Sequence, residues 1–199
     1  MRLLLFGALL LLATPSVVHA QHESPDRTDW GEWARAFSTY AAHPTASAAD
    51  ATEKAFRSTA QRDSLTIPPP IDSVYAWLDV LARRIKTRDA AAVRLAFVIE
   101  PSMGSGDFSE QLDIMLGRLI RIAPRLFLTE LRAQEQRQGR VSVPGGNLGE
   151  EYVDRMQAQC RELHLRVRAI RSVSDTALAA AKRLAITELN TAARDVCTN

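Results

Sequence analysis

The chain has 199 residues, 46% of them hydrophobic and 24% charged, with 9 Gly, 9 Pro and 2 Cys. Those values exclude collagen-like, low-complexity, wholly disordered and disulfide-scaffold chains, and the length suits one domain with a workable core. The formal charge of +2 is too near neutral to announce a nucleic-acid partner. Only 6% is aromatic, while alanine, leucine and arginine dominate, which favours helices over sheets.

Residues 1–20 open with Met1-Arg2, run apolar from Leu3 to Ala13, and close through Pro15 on Val18-His19-Ala20. One positive charge, a short apolar core, a proline breaker and a small-residue cleavage signature make a cleavable export signal. The apolar run is roughly 11 residues against the roughly 20 needed to cross a bilayer. The mature chain is expected to be Gln21–Asn199, with no transmembrane segment after cleavage and a bacterial periplasmic or extracellular location. The three lysines, Lys54, Lys86 and Lys182, among 25 basic residues accord with a GC-rich bacterial source.

Residues 21–67 form an N-terminal helical segment. Trp30, Trp33, Phe37 and Tyr40 recur at i, i+3, i+7 and i+10, lining one helical face with rings. His43-Pro44 ends that helix, and a weaker one follows across residues 50–60. Pro68-Pro69-Pro70 then forbids a continuous helix.

Residues 68–138 hold two helix-turn-helix units. Val74, Trp77, Leu78, Leu81 and Ile85 make one amphipathic stripe; Ala92, Val93, Ala96, Phe97 and Ile99 make the next, ended by Pro101. Asp107-Phe108-Ser109-Glu110 reads as a capping box with Asp107 as the cap. The helix it opens carries Leu112, Met115, Leu116, Leu119, Ile120 and Ile122 around more than half its girth, so packing from two sides is expected. Pro124 starts a fourth helix with Leu126, Phe127, Leu128 and Leu131. A shift of 34 residues lays Leu78-Asp79-Val80-Leu81 on Leu112-Asp113-Ile114-Met115, Arg84 on Arg118, Ile85 on Leu119, Val93 on Phe127 and Phe97 on Leu131. In architecture this resembles helical solenoids of the HEAT, armadillo or tetratricopeptide kind, although the tetratricopeptide Trp, Gly and Tyr positions are absent.

Residues 139–149 are a Pro/Gly loop around Val143-Pro144-Gly145-Gly146-Asn147. Residues 150–199 form a helical hairpin. Val153, Met156, Cys160, Leu163, Val167 and Ile170 alternate steps of three and four, and a second helix from about Thr176 carries Leu178, Ala181, Leu184, Ala185, Leu189, Ala192 and Val196. The whole reads as all-α: stacked antiparallel helix pairs, with HEAT/armadillo-like right-angle or bundle packing, and a C-terminal αα-hairpin.

A disulfide between Cys160 and Cys197 suits an exported chain. If the hairpin turns near Val173, however, Cys160 lies level with about residue 186, roughly 16 Å short of Cys197. Cα atoms within about 7 Å are needed. The bond then requires the last helix to end near Asn190-Thr191 and the tail to fold back; two free thiols are the alternative.

Chemistry is sparse. His22, His43 and His164 lie in three different blocks without zinc-ligand spacing, so neither a metal nor a cofactor is expected. Ser105 lacks the flanking glycines and the preceding strand of a nucleophile elbow. Glu150 and Glu151 would repel phosphate from the Gly145–Gly149 loop. Asp79, Asp113 and Glu110 would serve a glycosidase-type pair only if one were buried with a raised pKa. Residues 74–140 are net +3, with Arg83, Arg84, Arg118 and Arg121 near helix ends. These observations favour a non-enzymatic scaffold or interaction protein whose partner is an unknown protein or envelope component. Its candidate surface is Arg83, Arg84, Arg118 and Arg121 with Trp30 and Trp33. A helical bundle holding a small apolar ligand is the second reading, and a hydrolase with dispersed carboxylates the third.

Overall fold

The computed structural model describes residues 26–60, 71–102, 106–139 and 142–197. The export signal of residues 1–20 and the triple proline lie outside the described residues. Eight α-helices are described: α1 (Asp26–Ala42), α2 (Ala46–Ala60), α3 (Ile71–Lys86), α4 (Ala90–Ile99), α5 (Asp107–Ile122), α6 (Pro124–Gln138), α7 (Met156–Arg171) and α8 (Ala179–Cys197).

Local chemistry sets the joints. Thr45 Oγ1 accepts the Ala48 N–H at 3.2 Å, so α2 begins four residues before the apolar pattern suggests. Asp89 caps α4 by accepting the N–H groups of Ala91 and Ala92 at 2.9 and 3.2 Å. Pro124 sits in the first turn of α6, where its missing donor costs nothing. The expected Asp107 cap lies one residue too late. Asp107 is already helical, and Ser109 Oγ meets the Gly106 backbone instead, donating to its carbonyl at 2.9 Å.

The helices pair as hairpins, α1 with α2, α3 with α4, α5 with α6 and α7 with α8, and the hairpins stack. One layer runs α1, α3, α5, α7 and the other α2, α4, α6, α8, each helix touching the next in its layer. The solenoid-like repeat thus covers four helix pairs rather than the two central ones. The packing is that of a general helical repeat rather than of HEAT or armadillo units in particular.

In α4 every residue from Leu95 to Ile99 is buried, together with Ala92 and Val93, because this helix has neighbours on every side. Phe97 meets Phe127 of α6 with ring centroids 5.2 Å apart. The ring face of α1 is core: Trp33 packs on Phe56 at 5.3 Å and on Trp77 at 5.2 Å, and Phe37 stacks on Trp77 at 4.9 Å. These rings tie the first helix pair to the second.

The last hairpin departs from its expected register. Val153 is 62% exposed and Met156 44% exposed, because α7 begins only at Met156, after a 3-10 turn at Glu150–Tyr152. Leu163, Val167 and Ile170 do form the seam against Ala181, Ala185 and Leu189.

Candidate functional site

Two surface features are built with more than packing in mind, and both involve α5. The first is the segment from Val143 to Gly149, which lies as a strap against α5 and α7. Asp113 of α5 accepts the N–H groups of Gly145 and, at 2.8 Å, Asn147. Arg166 of α7, only 1% exposed, donates from Nη1 to the carbonyls of Gly145 and Asn147 at 2.8 and 2.9 Å, and from Nε to Glu162 at 3.2 Å. A Cβ on Gly117 would stand 2.1 Å from Arg166 Nη1 and 3.1 Å from Gly145 Cα. Gly145 itself has φ +100°, so glycine is needed on both sides of the contact.

Burial pushes the Asp113 carboxyl up, opposed by the two strap N–H groups and by the Arg166 charge. Burial likewise pushes the Arg166 guanidinium down, opposed by Glu162 and Asp113. The pair is held by geometry rather than by Coulomb attraction alone.

On either side of the strap lies a cleft. One, of about 560 Å³, is lined by Glu100, Asp107, Glu110 and Asp113; the other, of about 530 Å³, by Tyr75, Asp107, Glu110, Glu150 and Tyr152 among others. Glu100 is pushed up to about 7 by burial and by the Asp113 charge. A raised carboxyl in a cleft is the feature a general acid needs. Here the carboxylate whose charge it feels is already engaged: both Asp113 oxygens are taken by the strap, and Asp107 and Glu110 stand exposed. Among the described residues there is no clear catalytic site.

The second feature is a groove of about 420 Å³ between the carboxyl ends of α3 and α5. Its floor and walls are Ala82, Ile85, Met115, Leu119 and Ile122, with Ile122 41% exposed; Arg83, Lys86 and Arg118 stand around it. The helices run side by side in one layer, so their basic last turns meet at one end.

The residues singled out in the sequence divide accordingly. Arg83 and Arg118 border the groove. Arg84 does not join them: it turns to Asp89 and to the Pro44 carbonyl. Arg121 reaches Glu162 at 2.7 Å, and Arg118 reaches Glu151 at 2.6 Å. Trp33 is fully buried and offers nothing to a partner, while the side chain of Trp30 lies outside the described residues. Sequence reasoning missed Arg166 and the meeting of Lys86 with the apolar stripes of α3 and α5 in one groove.

Cys160 and Cys197 are joined by a disulfide with Cα atoms 5.3 Å apart. No fold-back is needed, because α8 runs helical to Cys197. The link to α8 is longer than a tight turn. It includes a 3-10 turn at Thr176–Leu178, and Lys182, four residues into α8, still reaches the Arg171 and Val173 carbonyls at 2.7 and 2.6 Å. From that level α8 descends as far as Cys160.

Among the described residues no helix is long and apolar enough to cross a membrane. Compared with known proteins, the chain matches no family, no curated protein and no solved structure.

Proposed function

We propose that the protein is an exported, non-enzymatic helical interaction protein whose α3–α5 groove receives an amphipathic, acidic helical segment of a partner protein. The observation that carries this reading is the juxtaposition of an apolar groove, open at the exposed Ile122 and the half-buried Ala82 and Met115, with Arg83, Lys86 and Arg118, the last of which also reaches Glu151. Apolar side chains of the partner would fill the groove, and its Glu or Asp residues would meet Arg83, Lys86 and Arg118. Met115 and Ile122 lie seven residues apart on α5, about 10 Å of helix, which matches two turns of a docked helix. Export is supported by the character of residues 1–20 and by the disulfide, a bond that persists in oxidising compartments. The mature protein's first residue is expected by N-terminal sequencing to be Gln21.

Selection of helical peptides on the immobilised protein tests the groove. Enrichment of Leu or Ile at i, i+3 or i+4, and i+7 flanked by Glu or Asp is expected, with binding abolished by Ile122→Glu. Binders indifferent to Ile122→Glu, or binding of dodecanoate in place of any peptide, would overturn the proposal; the latter result favours the small-ligand reading.

A further inference from the structure

Cys160 and His164 stand one turn apart on α7, and Cys197 is the last residue of α8. His164 Nδ1 lies 3.6 Å from Cys160 Sγ, and the three ligand-type atoms all fall within 4.8 Å of one another. Among the described residues no other three metal-capable side chains bring their ligand atoms this close together. His164 and Cys197 are exposed and Cys160 half-buried, so the cluster is open to solvent.

We propose that these residues form a redox-gated site for a zinc-class divalent cation, closed while the disulfide stands and opened by a dithiol reductant. Around tetrahedral zinc, bond lengths of about 2.3 Å to sulfur and about 2.0 Å to nitrogen place an N and an S ligand about 3.5 Å apart and two S ligands about 3.8 Å apart. His164 and Cys160 already meet the first spacing. With Cα atoms 5.3 Å apart, side-chain rotation would suffice to bring the two sulfurs to the second spacing without moving α7 or α8. A disulfide sulfur is a weak acceptor, so the ring's approach contributes little to the oxidised fold. With Cys160, Cys197 and His164 bound, the fourth position is open to water.

The steps balance. One thiolate of the dithiol bonds to a sulfur of the pair and the Cys160–Cys197 bond breaks; the second thiol of the reductant then closes its own disulfide. The dithiol is oxidised, and Cys160 and Cys197 gain two electrons and two protons. Metal binding as two thiolates and one neutral imidazole releases those protons to water.

The test uses the full mature protein, reduced with dithiothreitol, freed of reductant under nitrogen and titrated with Co²⁺. Thiolate-to-cobalt charge-transfer bands and tetrahedral d–d bands are expected at one ion per chain, bleached by Zn²⁺ and absent from the oxidised protein. His164→Ala should weaken cobalt binding at least about tenfold, while its oxidised form unfolds at the wild-type urea midpoint. Far-UV circular dichroism should be unchanged by reduction. The proposal is overturned by absence of the bands, by the same bands in oxidised protein, by wild-type cobalt affinity in His164→Ala, by two chains per ion, or by loss of helix on reduction.

Discussion

Asp113 and Arg166 hold the same two backbone residues through complementary groups. The carboxylate takes the N–H groups of Gly145 and Asn147, and the guanidinium serves their carbonyls. Two buried ionic groups thus satisfy four backbone groups of a loop that has no regular structure of its own. Arg166→Leu would strand two carbonyls and leave the buried Asp113 carboxylate without its facing charge, while Glu162 keeps Arg121, at a cost of roughly 3–5 kcal/mol. Asp113→Ala would strand two N–H groups, at about 1–3 kcal/mol for each one left buried. Because either change releases the same strap, urea denaturation of the double variant should fall short of the summed single costs by about 0.5–3 kcal/mol.

Gly117 gives the opposite sign from an ordinary helix glycine. Replacing glycine by alanine inside an exposed helix usually gains about 1 kcal/mol. At Gly117 the new methyl would occupy the place of the Arg166 guanidinium and press on Gly145 Cα. Gly117→Ala is therefore expected to lower the urea midpoint, by the roughly 1–3 kcal/mol typical of overpacking. A raised midpoint would show that the strap is not seated on α5.

Glu100 sets a pH dependence. Its folded-state pKa of about 7 lies above the ordinary 4.5, so between those values the folded protein binds more protons than the unfolded chain. Stability is then greatest below about pH 4.5 as far as this group is concerned, falls as pH rises, and reaches its full penalty above about 7. Solvent still reaches part of the carboxyl, so the penalty is on the order of 1–2 kcal/mol rather than the full shift. Urea midpoints at pH 5 and pH 8 should differ less in Glu100→Gln than in the wild type. An equal difference in both would remove Glu100 as the cause.

The helices were legible because three-to-four spacing writes a buried face directly into the sequence, as Trp77, Leu78, Leu81 and Ile85 show. What the spacing does not carry is which polar residue a distant loop will cover. Asp79 and Asp113 occupy equivalent positions of the 34-residue repeat, yet Asp79 is exposed and Asp113 buried, since only α5 receives the strap. One local signal was present: Gly117 interrupts a strong helix at the position where the first unit has Arg83. A glycine there is costly unless another backbone lies against it. Val153 misleads for a related reason, because apolar spacing continues past the amino end of α7, and Met156, the first residue of that helix, is left uncovered there.

The groove makes its own demand on charge. Arg83→Glu together with Arg118→Glu should weaken an acidic peptide selected on the wild type by at least about tenfold, through repulsion at the rim. Arg84→Glu, which faces Asp89 and Pro44, should leave that affinity unchanged. The wild-type affinity should also fall with added salt, as expected for exposed charges. Equal losses from the Arg84 and the Arg83/Arg118 variants, read by fluorescence anisotropy, would place the peptide elsewhere.

The disulfide closes a loop of 37 residues whose two helices already pack along an extensive seam. Its contribution is to the unfolded state, where the tether removes roughly 3–4 kcal/mol of chain entropy. Cys160→Ser/Cys197→Ser should therefore lower the unfolding free energy by about that amount. Far-UV circular dichroism should be unchanged, since Leu163, Val167, Ala185 and Leu189 pack the seam without the bond. A small domain has about 5–15 kcal/mol in hand, so the variant remains folded at room temperature. A loss of helix in that variant would mean that the covalent link, rather than the seam, keeps α8 on α7.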